Sequence, residues 1–265
     1  MKKWSLIVDK EPLSGSWNMA VDDYLFRSLG EKPQTTVRFY SWEKPTASLG
    51  YSQKAEKVLD VQFCQNHGID VVRRITGGKM VLHFREVTYS ICSSDSSVFT
   101  NKLSDSYRLI SEALMKGLDK MGLNSVLAEE PPSSYLRGDL PCFSYASRNE
   151  VEVKKKKVIG SAQKRVGSTF IQHGSIPLED DRDLLRKISY LERSEEDVRL
   201  ISLSQALGKE MKFDGAVEYF TAGISEYFNV ELVPRNFTEE EKGVVCQIQK
   251  DRYENADWTF GAKSK

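Results

Sequence analysis

Short apolar segments alternate with stretches of helical periodicity along the chain as far as Ser93. Runs rich in β-branched and aromatic residues predict strands at Leu6 to Asp9, Thr35 to Trp42, Ala47 to Gln53, Ile69 to Ile75, Lys79 to Phe84 and Val87 to Ser93. After the first strand, Ser16 is the predicted N-cap of a helix. Its apolar face consists of Trp17, Ala20, Val21, Tyr24 and Leu25. A shorter helix is predicted from Val58 to His67, ended by Gly68 in the left-handed conformation.

A longer helix, a proline-rich segment and three more strands follow. The helix runs from about Ser104 to Met121, and residues 129–140 are predicted to form a long ordered loop. Three strands are predicted to form a meander, at Glu150 to Val153, Lys157 to Gln163 and Thr169 to Ser175, with the lysines at 154–156 as its first turn. Beyond these, helices are predicted at about 181–191, 201–208, 214–228 and 238–254. The pattern therefore predicts an α+β fold, one domain over 1–265 with a mainly helical part from about residue 181.

Composition and charge argue against a nucleic-acid-binding, secreted or membrane-spanning protein, but they do not indicate a substrate. Lysine plus arginine equals aspartate plus glutamate at 38 each, so no net charge favours nucleic acid or a membrane surface. The apolar run near the N-terminus is about five residues, too short for a signal peptide, and no window approaches the ~20 apolar residues of a membrane span. The four cysteines are far apart in the sequence, which fits free thiols in the cytoplasm.

Two arginines and two glycines stand together in the segment Arg73-Arg74-Ile75-Thr76-Gly77-Gly78-Lys79. Glycines admit positive φ and a close backbone approach, so their N–H groups can hold an anion or an acyl carbonyl. Arginines bring fixed donors for a carboxylate or a phosphate. A plain hairpin turn with solvated arginines fits the same pattern. The segment alone leaves both interpretations open.

Cys142 differs from the other three cysteines in its surroundings. Cys64, Cys92 and Cys246 each fit an apolar pattern and are expected to be small, buried side chains. Cys142 instead ends the proline-rich segment and lies outside any apolar period. It is a candidate nucleophile, although the pattern fits a structural thiol equally well.

Lys157 begins a predicted strand whose alternation places Lys157, Ile159 and Ser161 on one face. A lysine at a strand end is often solvated, but one that faces a cleft can favour a thiolate or bond an acyl oxygen. His83 and His173 each lie alone in a predicted strand, which favours structural roles. The spacing of the histidines fits no metal site.

Together, seven segments in this order resemble the biotin/lipoate A/B protein ligases, most closely the octanoyltransferase branch that uses a cysteine. They extend over roughly residues 15 to 180. The segments are Asn18-Met19-Ala20-Val21-Asp22, Arg38 to Gln53, Arg73 to His83, Thr88-Tyr89-Ser90, Pro141-Cys142-Phe143, Lys157 to Gln163 and Gln172-His173-Gly174-Ser175.

The resemblance implies a fold like that of biotin protein ligase and the class II synthetases, with a mixed, largely antiparallel central sheet flanked by helices. It also implies a narrow acyl tunnel between the glycine-rich loop and the Lys157 strand. Cys142 and Lys157 are the catalytic residues that it implies. The residues that it implies for substrate binding are Arg73, Arg74, Gly77, Gly78, His83, Gly160, Ser161 and Ala162.

Two positions depart from the family pattern. Lys79 stands where a third glycine is frequent, and Phe84 stands where an aspartate usually follows the histidine. A phenyl ring cannot accept a hydrogen bond or help to hold a cation, which weakens an ATP-dependent interpretation.

The function implied by the resemblance is transfer of an octanoyl group from acyl carrier protein, through a Cys142 thioester, to a lysine of a lipoyl domain or glycine cleavage H protein. This reaction requires neither a cofactor nor a metal. The lysines at 154–156, together with Lys164 and Arg165, are expected to guide acidic carriers. The alternatives are an ATP- and Mg²⁺-dependent lipoate–protein ligase that forms lipoyl-AMP, and a non-catalytic scaffold.

Overall fold

The computed structural model describes residues 1–30, 32–128, 149–190 and 199–261. The predicted loop at 129–140 and Cys142 lie outside these residues. In chain order, the strands are β1 (Lys2–Val8), β2 (Thr35–Tyr40), β3 (Thr46–Leu49), β4 (Asp70–Arg73), β5 (Val81–His83), β6 (Glu86–Ser93), β7 (Ser125–Leu127), β8 (Val151–Val153), β9 (Lys156–Val166), β10 (Thr169–Pro177) and β11 (Val230–Pro234).

The helices alternate with these strands and then dominate the C-terminal part. In chain order, they are α1 (Gly15–Arg27), α2 (Ala55–Val58), α3 (Val61–Asn66), α4 (Leu103–Lys120), α5 (Arg182–Ile188), α6 (Leu203–Leu207), α7 (Phe213–Phe228), α8 (Glu239–Ile248), a π-helical turn (Gln249–Tyr253) and α9 (Ala256–Phe260). Among the described residues, no helix combines the length and the apolar character that a membrane span requires.

The main sheet has the strand order β11-β1-β2-β6-β10-β9-β8-β7 in the described part of the chain. The pairs β11-β1 and β1-β2 are parallel, and the remaining pairs are antiparallel. A second sheet has the order β4-β3-β5. The prediction of a mixed, largely antiparallel sheet flanked by helices is confirmed.

One face of the main sheet packs against α4 and α7. Its core includes Phe39, Tyr89, Ile110 and Phe220, all at most 1% exposed. Each such side chain contributes about 1.5–3 kcal/mol when it is removed from water. The two helices approach so closely that a methyl group on Gly223 would lie 2.4 Å from the backbone nitrogen of Gly117.

The other face of the main sheet packs against α1 and α8, with Met19, Val21 and Ile171 among its buried residues. The predicted start of α1 was two residues late. Ser14 is the N-cap, and its Oγ accepts a hydrogen bond from the backbone nitrogen of Trp17. Ser16 lies inside the helix instead, and its hydroxyl contacts Gln249 at 2.9 Å.

Several predicted boundaries were wrong because tertiary contacts interrupt a continuous sequence pattern. The helix predicted over 58–67 is split into α2 and α3, since Asp60 begins α3 and accepts from the backbone nitrogen of Phe63. The strand predicted to Gln53 ends at Leu49. In the C-terminal part, β11 lies between the helices predicted at 214–228 and 238–254, where no strand was predicted, and it pairs with β1 to extend the main sheet.

A β-bulge near the start of β9 changes which residues share a face. Glu152 pairs with Lys157, but Val151 pairs with Ile159, so Val158 is an extra residue. Val158 and Ile159 consequently both pack in the core with Val151. Lys157 lies opposite Glu152 and therefore shares the face of Gly160 and Ala162. The predicted common face of Lys157, Ile159 and Ser161 was wrong.

Candidate functional site

The segment from Arg74 to Lys79, here called the Gly–Gly loop, lies against the middle of β9 and β10. Thr76 Oγ1 is 2.7 Å from His173 Nε2, and a methyl group on Gly78 would lie 3.7 Å from the Cβ of Ala162. Gly77 and Gly78 are exposed, whereas the facing residues of β9 are half-buried. We call this accessible contact the loop–strand junction; its residues are Gly77, Gly78, Gly160 and Ala162.

Arg74 holds the Gly–Gly loop in its conformation. Its guanidinium donates hydrogen bonds to the backbone oxygens of Ser48 at 2.8 Å, Gly77 at 2.9 Å and Lys79 at 2.7 Å. Gly78 has a φ of +91°, a conformation that favours glycine. The arginine and the glycine therefore together fix the loop backbone.

Arg73 ties the strand before the loop to the C-terminal helix. Its side chain is fully buried and donates to the backbone oxygens of Gly50, Tyr51, Gln53, Trp258 and Thr259, at 2.7–3.1 Å. The indole nitrogen of Trp258 donates in return to the backbone oxygen of Arg73. A direct substrate contact by this guanidinium would require some of these bonds to break.

A buried network centred on Asp22 supports the loop from the sheet. The carboxylate accepts from Arg38, Tyr40, Ser90 and His173 at 2.9–3.0 Å. Burial opposes its charge, but the bonds from His173 and Arg38 outweigh burial, and the pKa of Asp22 lies below its ordinary value. Burial also lowers the pKa of His173, although Asp22 opposes this effect. A neutral His173 then donates a hydrogen bond from Nδ1 to Asp22, and its Nε2 accepts a hydrogen bond from the Thr76 hydroxyl.

A second buried network contains His83. Its Nδ1 lies 2.8 Å from Glu86 Oε1 and its Nε2 lies 2.7 Å from Ser48 Oγ, while its ring stacks on Trp42 with centroids 4.2 Å apart. The Ser48 hydroxyl also accepts from Arg74 at 3.1 Å, which links His83 to the Gly–Gly loop. Both ring nitrogens are engaged, so His83 reaches the loop through Ser48.

Lys157 lies inside the protein in an ion pair. Its Nζ is 2.8 Å from Glu150 Oε1, and the two residues are 3% and 5% exposed. The backbone of Lys157 bonds the next segment, with its nitrogen on the oxygen of Arg199 and its oxygen on the nitrogen of Ile201. The solvated strand end considered for Lys157 is therefore excluded by its burial.

Ser161 differs from its neighbours because it faces the main core. Its Oγ lies 2.7 Å from the hydroxyl of Tyr89, and its backbone oxygen accepts from Tyr107 at 3.3 Å. Burial raises the pKa of Tyr89 to about 12, so this phenol remains protonated. Gly160 and Ala162 are thus the residues of this segment that face the Gly–Gly loop.

The burial predicted for the three described cysteines is confirmed for Cys64 and Cys92 but not for Cys246. Cys64 and Cys92 are fully buried, and Cys246 on α8 is half-buried. Burial raises the pKa of Cys64 to about 11 and raises the pKa of Cys92 well above its ordinary value. Neither of these two thiols is suited to act as a nucleophile at neutral pH.

The predicted basic group at 154–156, Lys164 and Arg165 is divided in the structure. Lys156 and Lys164 lie at opposite ends of β9, about 26 Å apart at the rise of an extended strand. Lys154 donates to the backbone oxygen of Ala206, and Arg165 donates to the hydroxyl of Ser106. These basic residues therefore do not form one continuous patch, and their role in docking stays a prediction.

Sequence reasoning left Asp22, Glu86 and Glu150 without a role, although each lies at the centre of a buried polar group. The signal for Asp22 was an acidic residue within the apolar face of a predicted helix, and buried carboxylates require partners. Glu86 and Glu150 carried no comparable signal, because each stands at the edge of a predicted strand.

Comparisons with known proteins identify the family to which the chain belongs. A sequence profile of the lipoyl protein ligase A/B catalytic domain matches residues 14–225. Octanoyltransferase LipM of Brevibacillus brevis is 35% identical over 275 residues, which cover 98% of this chain and 99% of that protein. Octanoyltransferase LipM of Clostridioides difficile is 35% identical over 271 residues, which cover 97% and 98%.

Solved structures show the same fold. Lipoate-protein ligase A bound with ATP superposes with a TM-score of 0.86 at 20% identity and covers 99% of this chain and 100% of that one. A bipartite lipoate protein ligase of Thermoplasma acidophilum, described with its E2 lipoyl domain, has a TM-score of 0.83 at 20% identity and covers 100% and 99%. From its sequence match and its full-length relatives, the chain belongs to the lipoyl protein ligase A/B catalytic-domain family.

Proposed function

We propose that this chain is an octanoyltransferase that moves an octanoyl group from acyl carrier protein to a lysine of a lipoyl-type acceptor domain. The full-length similarity to octanoyltransferases supports the acyl group and the type of reaction. The observation that carries the proposal is the buried cation of Lys157, on the same sheet face as Gly160 and Ala162 at the loop–strand junction.

The proposed reaction has two steps, and the first exchanges one thioester for another at nearly equal energy. The thiolate of Cys142 attacks the carbonyl carbon of the octanoyl thioester, and the thiolate of the carrier leaves as the acyl-enzyme forms. The neutral amine of the acceptor lysine then attacks the acyl-enzyme, loses a proton and expels the Cys142 thiolate. Amide formation from a thioester is downhill, so the reaction consumes no ATP.

Lys157 supplies positive charge for both steps in this proposal. Negative charge develops on the acyl oxygen in each tetrahedral intermediate, and a fixed cation in a buried site stabilises such charge strongly. The Gly–Gly loop contributes an accessible backbone surface opposite Ala162, which lies on the same face of β9 as Gly160. An acceptor of the lipoyl-domain type agrees with the archaeal ligase described with its E2 lipoyl domain; glycine cleavage H protein is the other proposed acceptor.

Intact mass after incubation with octanoyl-acyl carrier protein tests the proposal. We expect a covalent octanoyl adduct that neutral hydroxylamine removes, and its absence in Cys142→Ala. Cys246→Ala is the matched control and should retain the adduct, because Cys246 lies on α8 away from the loop–strand junction. Lys157→Met should slow adduct formation by roughly 10²–10³-fold.

Two results would contradict the proposal. One is an adduct-free wild-type protein that transfers lipoate with ATP and retains this activity after Cys142→Ala, which would identify a ligase. The other is the absence of transfer by the wild type with either donor, which would identify a scaffold.

A further inference from the structure

Glu150 holds its carboxylate against Lys157 in the interior of the protein. Oε1 and Nζ are 2.8 Å apart, and both residues are almost completely buried. Such a charge-assisted bond is strong, and removal of one partner leaves the other charge in a poorly solvated site. The carboxylate of Glu150 therefore favours the ammonium form of Lys157.

The backbone fixes this pair from both sides. Glu150 precedes β8, and its backbone oxygen accepts from the nitrogen of Ala128 at 2.8 Å next to the β7–β8 ladder. Lys157 is held through the backbone of Arg199 and Ile201, and the β-bulge turns it to the face of Gly160 and Ala162. The two side chains thus meet without a rearrangement of either strand.

We propose that Glu150 is a positioning residue for acyl transfer, which keeps Lys157 in the ammonium form and directs it along β9 toward the loop–strand junction. This inference rests on the proposed function, in which Lys157 is the cation that stabilises developing negative charge. A neutral amine cannot perform this task. Glu150 acts through Lys157 and does not need to contact the acyl group.

Glu152 provides a matched control for the charge of Glu150. It lies two residues farther along β8, stands opposite Lys157 in the ladder and is half-exposed. On the other side of Lys157, Arg199 faces it through its backbone oxygen, and the preceding Lys156 is exposed. A variant of Glu152 therefore changes the local charge equally without removing the buried ion pair.

The test measures single-turnover octanoyl transfer by the full-length chain across a pH series, with octanoyl-acyl carrier protein as donor. We expect Glu150→Gln to lower the rate roughly 10- to 100-fold at neutral pH. The alkaline limb of its pH profile should move to lower pH, since the Lys157 amine loses its proton more readily without the Glu150 carboxylate beside it. Glu152→Gln should keep the wild-type profile. In the double variant with Lys157→Met, the Glu150→Gln change should not lower the transfer rate any further.

Additive losses in the double variant, or an alkaline limb that does not move, would overturn the inference. Glu150→Asp covers the case in which Glu150→Gln fails to fold, because it keeps the carboxylate and should keep the wild-type alkaline limb at a reduced rate. An active Lys157→Met variant would contradict the role of Lys157 in the proposed function as well. An inactive Lys157→Met variant with a normal Glu150→Gln variant would overturn this inference alone.

Discussion

At the scale of single residues, buried polar side chains hold the Gly–Gly loop from two sides. Thr76 bonds His173 on the sheet, and Arg74 bonds Ser48 beside His83. A buried polar atom that lost its hydrogen-bond partner would destabilise the protein. These two sets of hydrogen bonds therefore restrict the loop to one arrangement. The protein itself therefore holds the backbone of the Gly–Gly loop in place.

Protonation of His173 should weaken this support, and we expect the free energy of unfolding to fall as the pH decreases below about 6.5. The pKa of His173 is below its ordinary value in the folded state, so the unfolded chain binds a proton that the folded chain excludes. The stabilisation is complete near neutral pH and is lost at lower pH. The loss is at most about 1.4 kcal/mol for each pH unit by which the pKa of His173 is lowered on folding. Asp22, whose pKa is also lowered, adds a further loss only in the acid range below about 4.

Urea denaturation between pH 7 and 5 measures this effect. His173→Gln should flatten the dependence of stability on pH in this interval, whereas His67→Gln should not, because His67 is exposed at the end of α3. An equal slope in wild type and His173→Gln would assign the effect to other groups.

At the scale of elements, α9 is part of the support for the site, although it is distant in sequence. Arg73 and Trp258 bond each other's backbone, and the ring centroids of Tyr51 and Trp258 are 5.9 Å apart. Since Arg73 directly precedes the Gly–Gly loop, a displacement of α9 is transmitted to the loop through one residue.

Arg73→Lys should lower the free energy of unfolding by at least about 2 kcal/mol. The three guanidinium nitrogens of Arg73 bond five backbone oxygens, whereas lysine has a single nitrogen. Hydrogen bonds to charged groups contribute about 1.5–3 kcal/mol each. Arg186→Lys is the control, since its partner Asp183 is exposed and the change should be less than about 1 kcal/mol. Similar values for the two variants in chemical denaturation would contradict a structural role for Arg73.

The elements themselves were largely predictable, because apolar periodicity determines which segments form strands and helices. The meander of β8, β9 and β10 and the long helix α4 lie close to their predicted positions. The bulge at Val158 was not predictable, since strict alternation and a one-residue shift differ only in how β8 and β9 pair. β11 was also missed, because five residues that end in proline give a weak strand signal.

The site was predictable in its loop and lysine but not in the partners that hold them. The glycines of the Gly–Gly loop and Lys157 lie in recognisable segments, whereas Glu150 and Asp22 acquire their roles through contacts between distant parts of the chain. The assignment of Cys142 as the nucleophile stays a prediction, because this residue lies outside the described part of the structure.

At the scale of the whole molecule, positive charge is divided between the two ends of β9 in a chain of zero formal net charge. Lys155 and Lys156 are exposed at one end, and Lys164 lies at the other with its Nζ 5.5 Å from the ring centroid of Phe26. A small acidic carrier that docks at one end cannot use the charges of both. We therefore expect the two ends to act independently.

Lys155→Glu with Lys156→Glu should lower the second-order rate of transfer and weaken its dependence on salt, since exposed charges mainly accelerate encounter. Lys164→Glu is a reversal at the opposite end and should leave the salt dependence closer to that of the wild type. Stopped-flow rates at several ionic strengths distinguish the two. An unchanged salt slope in the 155/156 variant would exclude this end as a docking site.

The bonds of Arg73 to the C-terminal helix also determine when the loop can be completed during synthesis. Arg73 and Thr259 are 186 residues apart, and chains fold from the N-terminus as they leave the ribosome. The strands of the main sheet other than β11 emerge well before α9. A nascent chain can thus assemble most of its sheet and still lack the residues that hold the strand before the Gly–Gly loop. We therefore expect the Gly–Gly loop to reach its final arrangement only after α9 has been synthesised.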